Sequence, residues 1–394
     1  MNPAPPMTPS IPTSNADTPT EDRFDLSVPR PPPLTVADTT YEFLKLVARR
    51  GGREVTWLAR RRLRQGPAGL VAITRLRSPA TFMGRTRLKE TALLSLLLRH
   101  PAIVQTHHAM VPEGTPHLIQ EHVDGPCLDT VVSAAVARGR PVSPGFALFV
   151  GSEVAEALHH AHALKDESGR ALGVVHRDVC PRNVRVDLGT GAVKLGGFGA
   201  AYWLLVGREE SPASLLRGDV AYASPEYFEK TPLDARSDVF SLGVTLVELL
   251  TGNHPFDVEE GGVQPPEVAG RLHTEERPSV PLARMRAFLA TYGEEQVRRA
   301  VADVPSSLQP LLVRALQREP AARHASAGEL RDALRARLAT VAPAYGRIEA
   351  AGELATLLAD ATVIRDRVEF FESGFWPEGL DSHELRPGDS GTPT

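Results

Sequence analysis

The 394 residues carry 44 lysines and arginines against 48 aspartates and glutamates, a formal net charge of −4, which gives no basis for a nucleic acid or an anionic membrane surface as partner. Hydrophobic residues at 42% supply an ample core, and the two cysteines, Cys127 and Cys180, are too few for a disulfide framework, so a reducing, cytoplasmic location is expected. No run of about 18 apolar residues and no basic-then-apolar leader occurs, so neither a membrane span nor secretion is expected.

Residues 1–38 are rich in Pro, Ser, Thr and Asp and poor in large apolar side chains. Such a stretch buries too little surface to offset ordering and is expected to be a disordered Pro-rich tail. The run from Pro29 to Pro33 suits an extended linker or a polyproline II docking peptide. From Tyr41 the chain reads YEFLKLVARRGGREVTWLARR, two strands around a turn at Gly51 and Gly52. Leu70 to Thr74 is a β-branched strand, leucines at 88, 93, 94, 97 and 98 give residues 86–99 a helical pattern, and His117 to Val123 returns to strand. A helix over 146–164 follows from Ala147, Phe149, Val150, Val154 and Leu158. His159, His160 and His162 spread around that helix without cysteine or carboxylate at ligand spacing, so solvated or half-buried histidines are expected there rather than a metal site.

Residues 174–199 read VVHRDVCPRNVRVDLGTGAVKLGGFG, with a β-hairpin from Val184 and Val186 to Val193 and Leu195. Ser224–Pro225–Glu226 follows, then DARSDVFSLG, where Ser237 can cap a helix that is apolar nearly all round from Leu242 to Leu250 and stops at Gly252. Beyond Arg323 the pattern Ile348, Leu354, Leu357, Leu358 and Ile364 predicts a helix over 346–366. With the aromatic cluster Phe370, Phe371, Phe375 and Trp376, it is expected to dock on the preceding lobe, the alternative being a surface that binds a partner.

His176, Arg177 and Asp178, with Asn183 five residues on, resemble the catalytic loop of the bacterial Hanks-type Ser/Thr protein kinases, and Phe198–Gly199, Glu226, Asp238 and Arg323 follow at that family's spacing. The resemblance implies an α+β, bilobal protein-kinase-like fold over 41–340, with a β-rich N-lobe at 41–124 carrying one helix and a helical C-lobe at 125–340. Residues 341–394 form a C-terminal helix and polar tail. It also implies that Asp178 is the base for a substrate hydroxyl, Asn183 a magnesium ligand, and His176, Arg177, Phe198, Gly199, Glu226, Asp238 and Arg323 structural marks. Ser211 and Ser214 would be loop serines or phosphosites facing Arg177.

Several positions depart from the family pattern. The glycine-rich loop is reduced to Gly51 and Gly52, with Glu54 on a position that usually carries glycine and Thr56 where a valine packs on adenine. The strand lysine that pairs with phosphates is Thr74; Arg75 beside it points to the opposite face by alternation. Thr91, or Glu90 after a one-residue shift, takes the place of the helix glutamate. Glu121 to Val123 would meet an adenine ring, with Gln120 as gatekeeper. The metal-binding aspartate of DFG is Gly197, which has no side chain to ligate a cation. The resemblance thus implies ATP with magnesium, weakened or absent. Three readings follow: a pseudokinase that binds another kinase or signalling protein as scaffold or allosteric regulator; an active Ser/Thr kinase that recruits a loop arginine for the phosphates and uses Asp178 and Asn183 in a noncanonical site; or nucleotide chemistry other than phosphorylation on the same fold.

Overall fold

The computed structural model describes residues 30–50, 54–76, 82–203, 218–229, 231–256 and 282–372. Order begins inside the stretch expected to be disordered: β1 (Leu34–Val36) pairs antiparallel with β2 (Thr39–Arg50) across a turn in which Ala37 takes φ 50°. Composition averaged over 38 residues hid this short ladder. It is held by β-branched pairs, a 3.1 Å hydrogen bond between Thr35 and Thr40, and the Arg64–Asp38 ion pair. The rest of the tail, residues 1–29, lies outside the described residues.

The sheet continues through β3 (Glu54–Leu63) and β4 (Gly66–Leu76), crosses by α1 (Phe82–Leu97), and adds β5 (Thr106–Met110) and β6 (His117–Glu121). Its order is β1-β2-β3-β4-β6-β5, antiparallel throughout. Period-two alternation sends Trp57 and Ala59, Val71 and Ile73 to one face, where they pack with Tyr41, Phe43 and Ile119 into the small lobe's core.

The larger lobe starts with α2 (Leu128–Ala137) and α3 (Pro144–His162), the latter capped by Ser143, whose Oγ accepts from Phe146 N at 3.0 Å. The expected hairpin is β7 (Val184–Val186) with β8 (Val193–Leu195). Then come α4 (Pro225–Glu229), α5 (Ala235–Thr251), α6 (Leu282–Ala290), α7 (Glu294–Ala300), α8 (Gln309–Ala315), α9 (Ala327–Val341) and α10 (Arg347–Glu372). The cap of α5 is Asp234, which accepts from Arg236 N at 2.8 Å, rather than Ser237. Ser237 lies within the first turn, where its hydroxyl donates to Glu226 at 2.8 Å. Gly252 ends α5 at φ 77°, as expected.

Ala350, Leu354, Leu357 and Ala361 of α10 join the large-lobe core against α2 and α3. Ser143 donates to Glu353 through its backbone N–H (2.7 Å) and hydroxyl (2.6 Å), and Tyr345 donates to the same carboxylate at 2.6 Å. The β7–β8 turn approaches α10 so closely that a Cβ on Gly191 would stand 1.9 Å from the Arg347 carbonyl oxygen. Phe375 and Trp376 lie outside the described residues.

Candidate active site in the interlobe cleft

The loop 176–183 is held from below by α5. The Asp238 carboxylate accepts from the backbone N–H groups of His176 (2.8 Å) and Arg177 (2.9 Å) and from His162 Nε2 (2.8 Å). Burial alone would raise the Asp238 carboxyl, but these donors and the nearby imidazoles outweigh it and hold it below the usual range. Arg177 is kept at φ 63°, a left-handed conformation that costs a non-glycine residue about 1–3 kcal/mol and persists only where neighbours over-determine it. Its Nε also donates to Ala200 O at 2.9 Å. His176 is fully buried, donates from Nε2 to Gly196 O at 2.8 Å, accepts from Asp178 N at 3.2 Å, and meets the Phe198 ring edge-on at 4.4 Å. Burial lowers its pKa and keeps it neutral. The marks expected to be structural are therefore assembled.

Asp178 and Asn183 are also brought together, but against each other. Asn183 Nδ2 donates to the Asp178 carboxylate at 2.8 Å and to the Asp178 carbonyl at 2.6 Å. The second carboxylate oxygen of Asp178 accepts the Asp219 N–H at 2.7 Å. Asp219 in turn forms an ion pair with Arg182 of the same loop. Burial alone would lower the Arg182 guanidinium, but Cys180 and Asp178 outweigh it and push it up. Gly218 fits here because a Cβ would stand 2.4 Å from the Arg177 carbonyl oxygen and 3.0 Å from Asp178 Oδ1. Neither Arg182 nor Asp219 was singled out in the sequence. Each is an ordinary charged loop residue there, and only the fold brings them into contact.

Gly197 adopts φ 81°, and a Cβ built on it would fall 2.4–2.6 Å from the Cγ, Oδ1 and Nδ2 of Asn183. The Asn183 carboxamide thus fills the space into which a side chain at 197 would project. On the roof, Thr74 is buried and its hydroxyl shares a 3.0 Å hydrogen bond with the Thr56 hydroxyl. The two threonines at unusual positions satisfy one another across β3 and β4. Arg75 is exposed, as alternation required, and Glu54 opens β3 opposite Arg50. Thr91 and Glu90 both lie on α1. Gly51 and Gly52 lie outside the described residues, as do Ser211 and Ser214.

At the hinge, Glu121 N donates to Gln105 O at 2.9 Å, the Val123 carbonyl accepts from Gly125 N at 3.0 Å, and Gln120 donates to Thr106 Oγ1 at 3.1 Å. The Glu121 carboxylate, for which the sequence suggested no role, receives Lys194 Nζ at 2.8 and 3.0 Å and the Gln105 N–H at 2.8 Å. Farther down, Glu226 and Arg323 form the expected buried pair, with two contacts of 2.7 Å. Arg323 also donates to the carbonyls of Arg236, Gln317 and Arg318 and lies over the Phe240 ring at 4.9 Å. The α3 histidines are spoken for separately: His162 by Asp238, His160 by stacking on His100 at 4.8 Å, and His159 by close approach to Gly328.

These residues do not fit metal-bound ATP. Magnesium requires oxygen ligands in near-octahedral array, usually including carboxylates. Asn183 Oδ1 is a buried oxygen with no hydrogen-bond donor, as a ligand oxygen would be. Its partner position is Gly197, and among the described residues no group of three or more His, Cys, Asp or Glu could hold a metal. Among the described residues, Thr74 leaves the lysine's place on its strand without a cation.

The protein kinase domain family matches residues 68–333. Over 260 residues the chain is 32% identical to the serine/threonine-protein kinase PknB of Mycolicibacterium smegmatis, a span covering 65% of this chain and 36% of that protein. Over 252 residues it is 30% identical to the tyrosine-protein kinase MasK of Myxococcus xanthus, covering 62% of this chain and 34% of that one. The chain thus spans about a third of the length of these relatives. The crystal structure of the Mycobacterium tuberculosis PknI kinase domain is similar with a TM-score of 0.51 at 22% identity, covering 77% of this chain and 98% of that one; at this identity the likeness bears on fold alone. Because the family match runs from the strand that carries Thr74 to the helix beyond Arg323, this chain belongs to the protein kinase family.

Proposed function

We propose that the chain is a pseudokinase: a kinase-fold protein that acts by binding another kinase or signalling protein, as scaffold or allosteric regulator, with little or no phosphoryl transfer. The observation that carries this reading is the contact between Gly197 and Asn183. The position that should supply a metal-binding carboxylate has no side chain, and the neighbouring amide occupies the room one would need. Phosphoryl transfer rests on positioning and charge neutralisation. Removing one such group costs roughly 10²–10³ in rate, and losing both the lysine and the aspartate would cost roughly 10⁴–10⁶ if the two are independent. Set against a kinase turnover of about 1–100 per second, that is too slow for most signalling.

One observation favours the second reading, an active Ser/Thr kinase: Asp178 and Asn183 are both retained, and the Asn183 oxygen has no donor. Thermal-shift titration with ATP, with and without magnesium, separates the two. The pseudokinase reading expects no magnesium-dependent shift and no incorporation of labelled phosphate. Incorporation at ordinary kinase speed, abolished by Asp178→Ala, would establish the active enzyme instead.

A further inference from the structure

The small lobe carries a hollow of about 320 Å³ lined by Arg61, Arg99, Gln105, Thr106, His107 and His108. It gathers side chains from β3, from the segment after α1 and from the edge strand β5. The register of β5 against β6 slips between Thr106 and His108, leaving His107 as the extra residue of a bulge. Bulges of this kind re-aim a side chain out of the regular alternation.

The charges around the hollow are unbalanced. β3 presents Arg60, Arg61 and Arg62 in a row; Glu42 takes Arg60 (3.7 Å) and Arg62 (2.7 Å). Arg61 instead donates to the Ala68 carbonyl at 3.2 and 3.1 Å, which fixes the guanidinium without neutralising it. Among the described residues, neither Arg61 nor Arg99 has a carboxylate partner. Glu121, the acid that acts on His107 from β6, is already engaged by Lys194. Two guanidinium groups and two imidazoles therefore line one concavity, and Glu121, the acid acting on His107, is shared with Lys194.

We propose that this hollow binds the phosphoryl group of a phosphorylated serine or threonine on a protein partner. Two guanidinium groups on one surface suit the several oxygens of a phosphate dianion better than a single carboxylate. The patch is local, on a chain of net charge −4, and does not form the extended basic stripe that a nucleic acid backbone needs. The bound anion would also act on His107. Burial, then the charges of Arg61 from β3 and His108 on its own strand, hold that imidazole below its usual range against the opposing pull of Glu121. A phosphoryl group there favours the imidazolium, while the phosphate monoester itself takes up a proton at about pH 6.

The test uses the full chain and a labelled peptide library with a fixed central phosphothreonine. Controls are the same library with threonine and with glutamate at that position, and inorganic phosphate as competitor. The phosphorylated library is expected to bind at least about 10-fold tighter than either control, and to lose about 10-fold in affinity with Arg99→Gln. Competition by inorganic phosphate should accompany it. Arg99 is exposed, so its variant keeps the fold, which thermal unfolding verifies; Arg61→Gln is the second arm. Equal binding of the threonine or glutamate library, or binding indifferent to Arg99→Gln in a folded variant, overturns the proposal. Because the readout involves no nucleotide, failure here leaves the pseudokinase reading untouched.

Discussion

Lys194 Nζ sits 2.8 and 3.0 Å from the two carboxylate oxygens of Glu121, joining β8 of the large lobe to the last strand of the small one. Beside it, Leu195 exchanges backbone hydrogen bonds with Val104 (2.9 Å) and Ala102 (2.8 Å), so the ion pair extends a backbone tie between the lobes. Lys194→Met leaves Glu121 with only the Gln105 amide. Because the pair is partly exposed, the expected cost is about 1 kcal/mol, or a fall in Tm of roughly 2–4 °C. A double-mutant cycle with Glu121→Gln should show coupling; strictly additive effects would remove the pair's role in joining the lobes.

The fit between Gly197 and Asn183 makes an unusual substitution pattern. Gly197→Ala places a Cβ against the Asn183 carboxamide at a positive φ, and should destabilise the protein by about 1–3 kcal/mol. With Asn183→Ala in the same chain the crowding is gone and only the backbone strain remains. The double variant should lose less than the sum of the singles, as read from urea midpoints.

Glu226→Ala strands Arg323, a fully buried guanidinium, and should cost about 3–5 kcal/mol. Exposed pairs on the same lobe, such as Arg299 with Glu295, should contribute about 0.3–0.5 kcal/mol. Denaturation of the two variants side by side tests whether burial decides the difference.

Two sets of groups shape the pH profile. Burial would raise the Glu226 carboxyl, but the Arg323 hydrogen bonds and charge prevail and hold it below the usual range; Asp238 is depressed likewise. Their stabilisation is full above the unfolded values of about 4 and is lost as pH falls through the lower folded ones. His176, His117 and His324 are lowered chiefly by burial. The unfolded chain protonates these histidines first, so stability should begin to fall below about pH 6.5. Thermal unfolding should show a first decline from pH 6.5 and a steeper one below pH 4. A flat profile from pH 7 to 5 would contradict the neutral burial of these imidazoles.

The fold was legible because its signals are local or motif-like. The turn glycines and a β-branched run located β3 and β4, leucine spacing located α1, and the run from His176 to Gly199 announced loop, hairpin and turn together. What escaped the sequence falls into two kinds. β1 is a short strand inside a polar tail, and averaging over the tail erased it. Asp234 and Ser237 are both good caps, and only geometry decides between them. The second kind is pairing at a distance: nothing in the sequence couples Lys194 to Glu121, Arg182 to Asp219, or Thr56 to Thr74 until the chain folds. The sequence exposed the empty positions of the cleft, Thr74 and Gly197. It could not show that neighbours had already occupied them.

The placement of α10 bears on how the protein can be dissected. Tyr345 packs on Gly145 and lies 6.2 Å from the Phe149 ring, while Glu353 secures the start of α3. A fragment trimmed after the last residue of the family match would bare this apolar floor and orphan Ser143, and its aggregation would say nothing about the cleft above. Experiments on nucleotide binding should therefore keep the chain through at least Ala361, a buried residue of α10.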